Sequence, residues 1–204
     1  MSFPEYERIA HARPRKATPP ANLPVIEEDQ ATGEVAELYA QFRSRFGRPD
    51  VPGILKCFAT HPPLLRHMME LSESLIFADG HLNRRQKEMI AAFISVQNEC
   101  PYCADSHGFF FRVHWESSAL PEPDKAMLRF VQKTTLDSGS ISEADIQKLH
   151  ASGWDDTSIY YAIAACGLFN FYNRYVSANG VKPVSDEAFR RFGRRMAEHG
   201  YLRD

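Results

Sequence analysis

The chain has 204 residues, 44% of them hydrophobic and 25% charged, with a formal net charge of −2. That is length enough for one sizeable core, with no electrostatic footprint for nucleic acid or an anionic membrane. The N-terminus lacks the apolar core of a signal peptide, and the longest unbroken apolar run, Ile159 to Phe169, falls far short of the roughly 20 residues that span a bilayer. A soluble, cytoplasmic protein with no membrane or nucleic-acid partner is the expectation. Residues 1–30 hold Pro4, Pro14, Pro19, Pro20 and Pro24 among scattered charges without a helical or strand period, which predicts an extended arm ahead of a single helical domain over 31–204.

From Thr32 a helical period begins, with Val35, Leu38, Tyr39, Phe42 and Phe46 on one stripe and Gly47 and Pro49 as the stop. A short helix is predicted after Pro52 through Ile54, Leu55 and Phe58, ending near His61-Pro62. Leu64, Leu65, Met68, Met69, Leu71, Leu75 and Ile76 predict a longer helix that stops near Asp79-Gly80. Asn83 is a plausible N-cap for the helix that carries Glu88, whose core face is Ile90, Phe93 and Ile94. Ala91, Ala92 and Ser95 share a face with Glu88 and let another helix approach closely.

Asn98-Glu99-Cys100-Pro101 should interrupt that helix, because the residue before a proline is pushed out of the helical region. Pro101 suits the first position of the next helix, where its missing N–H would be unpaired anyway. Cys100 then falls at the N-cap, Cys103 in the first turn and His107 one turn further on. Unsatisfied amides and the positive end of the helix dipole stabilise a thiolate there. On a single straight helix Glu88 and His107 would stand roughly 28 Å apart; with a reversal at Asn98–Pro101 they come to comparable heights on antiparallel helices, and the carboxylate can orient the imidazole. The competing reading of Glu88 is a solvated carboxylate paired with Arg84 one turn back.

Phe109, Phe110, Phe111, Val113 and Trp115 follow His107, more aromatic surface than one helix face buries alone. Pro121-Glu122-Pro123-Asp124 opens a helix with Met127, Leu128, Phe130 and Val131. Ser142 to Asp145 has the form of a capping box before Ile146 and Leu149, with Gly153 as the stop. Asp155 or Asp156 caps the most hydrophobic helix, Ile159 to Ala178, which Gly180 ends. Its polar members Asn170, Asn173 and Arg174 read as a buried hydrogen-bond network. Cys57 and Cys166 read as inert core thiols, and a last, Arg-rich helix is predicted from Asp186 to Glu198. No segment alternates with a period of two, so the predicted fold is all-α.

Glu88, eleven residues, Cys100-x-x-Cys103, three residues and His107 resemble the signature of the AhpD-like alkylhydroperoxidases in the carboxymuconolactone decarboxylase superfamily. The runs Asn83 to Ile90, Leu168 to Arg174 and Asn179-Gly180-Val181 resemble its peroxidase-related branch. The resemblance implies a compact AhpD-like helical bundle, catalytic residues Glu88, Cys100, Cys103 and His107, no organic cofactor and no metal. It also implies a homo-oligomer, whether dimer, trimer or hexamer. The implied activity is thiol-dependent reduction of a hydroperoxide, cycling through an intramolecular disulfide that a dithiol or protein reductant reopens. Cys103 is expected to attack, since His107 lies one turn from it, although the helix dipole by itself favours Cys100. Where the AhpD proteins that serve a peroxiredoxin system carry a histidine between the cysteines, this chain has Tyr102.

Other readings use the same residues. The pair could reduce protein disulfides, or switch the packing of a sensor oligomer without turnover. Cys100, Cys103 and His107 are zinc-type ligands, though a structural zinc wants four and no second CxxC or HxxxH is present. Carboxymuconolactone-type decarboxylation does not rely on a dithiol. A glutaredoxin-like CPYC would follow a β-strand, whereas this one follows a helical segment.

Overall fold

The computed structural model describes residues 21–47, 50–113 and 120–183. Eight α-helices and no strand occur among these residues, as the periodicity predicts. In chain order they are α1 (Gly33–Phe46), α2 (Gly53–Phe58), α3 (Pro62–Ser72), α4 (Arg84–Gln97), α5 (Pro101–Val113), α6 (Glu122–Asp137), α7 (Glu143–Ala151) and α8 (Asp156–Asn179). The first part of the predicted arm, Trp115 and the predicted C-terminal helix at 186–198 lie outside the described residues. No described helix is long and apolar enough to cross a membrane.

The ends of the helices follow local chemistry. Thr32 is the extended N-cap of α1, and Gly47 closes it at φ +56°. His61, predicted to end α2, instead caps α3: its Nδ1 accepts the N–H of Leu64, with Pro62 at the first helical position. Asn83 and Gln86 form a reciprocal capping box on α4, each side chain accepting the other's backbone N–H at 3.0 Å. Asp155, rather than Asp156, caps α8 by accepting the N–H of Ser158 at 2.7 Å.

One element departs from the expected pattern. The helix predicted from Leu64 through Ile76 stops as α-helix at Ser72 and continues as one π-helical turn, Glu73–Phe77, closed by the N–H of Ala78 on the carbonyl of Glu73. A π turn inserts one extra residue per turn and rotates the chain beyond it. Phe77 is thereby set beneath the guanidinium of Arg84, 4.7 Å from Cζ to the ring centre.

A single large core joins most of the helices. Leu65, Ile90, Ile94, Val131 and Met127 are wholly inaccessible, and each such side chain contributes about 1.5–3 kcal/mol of transfer free energy. Helix α8 runs through this core: Ile159, Ala162, Ala165, Cys166 and Phe169 are all buried in it. Helices α4 and α5 pack closely, and small side chains permit it, with Ala92 and Val96 of α4 meeting Ala104 of α5. Asn22 lies against the C-terminal end of α8, where its N–H reaches the carbonyl of Asn179 at 2.8 Å, while Ile26 bonds to Lys56 of α2 and Tyr39 of α1.

Candidate active site

The reversal between α4 and α5 places the site. Asn98 ends α4, and Glu99 takes a left-handed conformation at φ +51°. The N–H of Glu99 bonds to the carbonyl of Val96, and that of Cys100 to the carbonyl of Ser95. These two bonds make a Schellman turn with glutamate where glycine is usual. Pro101 then starts α5, and the N–H of Ala104 returns to the carbonyl of Cys100 at 2.9 Å, so Cys100 is the N-cap as predicted.

Glu88 and His107 meet across this antiparallel pair. Glu88 is completely buried; its Oε2 lies 2.6 Å from His107 Nδ1 and its Oε1 accepts from Arg84 Nε at 2.7 Å. The alternative reading of a Glu88–Arg84 pair is therefore half right: the pair forms, but inside the protein and shared with the imidazole. Burial works against ionisation of Glu88, yet the charge of Arg84 and the contact with His107 hold its carboxyl below the usual range. An ionised carboxylate can only accept, so Nδ1 carries the proton and Nε2 is the nitrogen free to exchange one. Aromatic edges fix the ring, with Phe169 at 4.6 Å and Phe110 at 5.9 Å between centres, both near-perpendicular.

Both sulfurs of the motif are buried and reduced. They ionise in opposite directions. A hydrogen bond from the Cys103 thiol holds Cys100 down to about 6 against the cost of burial; the Ser177 hydroxyl, the Cys103 N–H and the charge of His107 add to this. Cys103 is pushed well above the ordinary thiol range because it donates to Cys100, is buried and faces the Cys100 charge. Of the two, Cys100 is the more readily ionised, the order that the helix dipole by itself favours. The Cys103 thiol and its own N–H, both one turn into α5, act on the Cys100 sulfur before His107 does.

Three further residues reach the site from afar. Arg84 enters the sequence reading only as a surface partner. Asn173, expected to belong to a structural network, does so: Asn98 donates to Asn173 and Asn170 at 3.0 and 3.1 Å. It also works to lower the Cys103 thiol, against the stronger upward causes. Ser177, one turn beyond, helps to lower the Cys100 thiol. The signal for the last two is their spacing: polar residues four apart on a helix otherwise rich in apolar side chains share one face. The hydroxyl of Tyr102 accepts the N–H of Ile54 at 3.4 Å, and its ring packs near Gly53 and Val181.

The other thiols lie in different surroundings. Burial raises Cys57 to about 12, and its Sγ donates to the carbonyl of Ile54. Cys166 is likewise raised by burial, beside Thr135 and Asn170. Among the described residues no three His, Cys, Asp or Glu side chains are arranged to hold a metal ion.

The chain is similar to several known proteins. The model of the carboxymuconolactone decarboxylase family matches residues 62–109, a span that contains all four motif residues. An alkyl hydroperoxide reductase of Mycobacterium tuberculosis is 37% identical over 79 residues, 38% of this chain and 22% of that protein; the match thus spans about a fifth of the relative's length. The crystal structure of an AhpD-core, peroxidase-related protein from Ralstonia eutropha superposes with a TM-score of 0.73 at 26% identity, covering 87% of this chain and 98% of the other. A peroxidase-related protein from a Silicibacter species gives 0.72 at 26% identity, covering 84% and 97%. The debrominase Bmp8 shares the fold at 15% identity, with a TM-score of 0.59 over 84% and 96% of the two chains. Over residues 62–109 the chain is similar to the carboxymuconolactone decarboxylase family, and its fold is similar to that of the AhpD-core, peroxidase-related proteins.

Proposed function

We propose that the chain is a thiol-dependent hydroperoxide reductase in which Cys100 attacks and Cys103 closes the disulfide. One observation carries the proposal: a wholly buried carboxylate, Glu88, holds His107 at 2.6 Å on the helix whose first turn presents Cys100 and Cys103. A thiolate, not a thiol, attacks the O–O bond. Glu88 fixes the tautomer of His107, and the imidazole takes and returns the proton exchanged at the sulfurs and the leaving oxygen.

The cycle needs two electrons from outside. Cys100 sulfur takes an oxygen from the hydroperoxide, an alcohol leaves, and Cys103 displaces water from the sulfenic acid to form the disulfide. A dithiol or a protein thiol then reduces it. The same pair supports reduction of protein disulfides as a second activity, since exchange requires the same low-pKa attacking sulfur. The exposed apolar residues Tyr160, Ile163 and Phe171 on α8 support association with further copies of the chain.

Steady-state consumption of hydrogen peroxide and tert-butyl hydroperoxide with dithiothreitol as donor tests the reading. Wild type should turn over, and the Cys100→Ser and Cys103→Ser variants should not. Equal rates in all three would remove the dithiol from the mechanism, and a single stoichiometric oxidation without turnover would mark a sensor.

A further inference from the structure

Helix α4 opens on Arg84, Arg85 and Lys87 with no acid in its first turn, although the positive end of the helix dipole works against cations there. Two of the three serve packing. Arg85 Nη2 pairs with the buried Asp124 of α6 at 2.7 Å, and Lys87 Nζ donates to the carbonyl of Ala78 at 2.5 Å. Arg84 is committed to Glu88. Its Nε donates to Oε1 at 2.7 Å, and its guanidinium carbon stands 4.7 Å over the ring of Phe77, the last residue of the π-helical turn. An arginine one turn ahead of a glutamate is the weaker order for a helical pair, so the stability of α4 alone does not account for the placement.

The other oxygen of Glu88 faces His107 Nδ1 at 2.6 Å, and the side chain is wholly inaccessible. A buried carboxylate needs a compensating charge. Guanidinium stays protonated in proteins, so the Arg84–Glu88 pair is neutral as it stands and asks no second proton of the imidazole. His107 is then a neutral ring with hydrogen on Nδ1 and a lone pair on Nε2. Without the Arg84 charge, one added proton relieves the carboxylate by either of two routes. The imidazole takes it, and both ring nitrogens carry hydrogen. Otherwise Glu88 is protonated on Oε2, where its O–H donates to Nδ1, and the ring hydrogen sits on Nε2; Oε1 has lost the partner that would favour it. Both routes close Nε2 as an acceptor.

We propose that Arg84 is a positioning residue: seated on Phe77, its charge answers that of the buried Glu88 and so keeps Nε2 of His107 open as a proton acceptor. The use of that nitrogen rests on the hydroperoxide reading above, in which the imidazole takes a proton and returns it to the leaving oxygen. The contacts run from the π turn through Phe77, Arg84 and Glu88 to the ring. The irregular turn between α3 and α4 thereby has a place in the site. An uncharged donor at the position of Arg84 would hold Oε1 but leave the carboxylate charge unanswered.

Nitrogen NMR of protein isotopically labelled at histidine, at neutral pH, reads which ring nitrogen of His107 carries hydrogen; its signals are assigned by their loss in His107→Gln. Wild type should show hydrogen on Nδ1 and a bare Nε2. Arg84→Met should show Nε2 protonated, and Arg84→Lys, which restores the charge, should return the bare Nε2. A bare Nε2 in Arg84→Met, or a protonated one in wild type or Arg84→Lys, overturns the assignment. Should Arg84→Met not fold, Arg84→Gln keeps a donor for Oε1 without the charge: a protonated Nε2 supports the proposal and a bare one overturns it. Turnover of tert-butyl hydroperoxide with dithiothreitol should fall roughly a hundredfold in Arg84→Met, the low end of what a positioned acid–base group contributes, and recover in Arg84→Lys. An unchanged rate in Arg84→Met overturns the role. A wild type inert to hydroperoxide defeats the peroxide reading alone, and the ring signature then decides whether Arg84 sets the state of His107.

Discussion

Replacing Glu88 with glutamine keeps its shape and removes its charge at the point where two helices depend on it. The carboxylate is wholly inaccessible and bonds Arg84 at 2.7 Å and His107 at 2.6 Å. Both partners present N–H groups, so in Glu88→Gln one of them must face the new amide nitrogen donor to donor. Removing one partner of a buried ion pair costs about 3–5 kcal/mol. Because the Arg84 side chain is 18% exposed, water recovers part of this, and the low end, about 3 kcal/mol, is expected. At about 2–4 °C per kcal/mol for a chain of this size, Tm should fall by about 6–12 °C.

The pH dependence of the same variant checks the sign. The Glu88 carboxyl is lowered in the folded protein, so its contribution is fully present above the unfolded carboxylate pKa. It is lost as pH falls through the folded value, and the stability gap between wild type and Glu88→Gln should therefore narrow only in acid. Thermal melts from neutral to acidic pH measure this, and iodoacetamide labelling of Cys100 should slow severalfold in the variant. A Tm shift under about 2 °C with unchanged labelling would refute the idea that Glu88 organises the site.

Other parts of the structure give further expected outcomes. Labelling of Cys100 in wild type should titrate with a midpoint of about 6, leaving it mostly thiolate at neutral pH, whereas Cys57, raised to about 12, should stay unlabelled in the folded protein; a midpoint near that of a free thiol would contradict this. Glu99→Gly relieves a left-handed residue at φ +51° and should stabilise by about 0.5–1 kcal/mol after the entropy of glycine is counted, read as the shift of the urea midpoint. Gly180→Ala places a methyl 2.6–2.8 Å from Asn22 at φ +72° and should destabilise by about 2 kcal/mol or more. Because Gly180 ends the helix whose Val176 packs against Cys100, it should also change the rate of Cys100 labelling.

The features legible in the sequence and those hidden from it divide along physical lines. Interactions within one or two turns are legible: the Asn83 cap, the Pro101 start, the N-cap place of Cys100 and the reversal that brings Glu88 to His107 all follow from local stereochemistry. The His61 cap falls one element away from its expected place, since the residue before a proline both ends one helix and begins the next. The π turn at Glu73–Phe77 is illegible because its hydrophobic period differs from that of an α-helix by one residue over one turn. The order of the thiols is beyond reach for a different reason. It depends on the surroundings of each sulfur, and two of the residues that bear on them, Asn173 and Ser177, are about seventy residues away in sequence.

The mechanism stands most directly on where the first oxygen lands. One equivalent of tert-butyl hydroperoxide added to Cys103→Ser, with dimedone present, should label Cys100 as the trapped sulfenic acid, while Cys100→Ser should give no label and wild type should give a Cys100–Cys103 disulfide. Label on Cys103 in the Cys100→Ser protein, with none on Cys100 in the other, would contradict it.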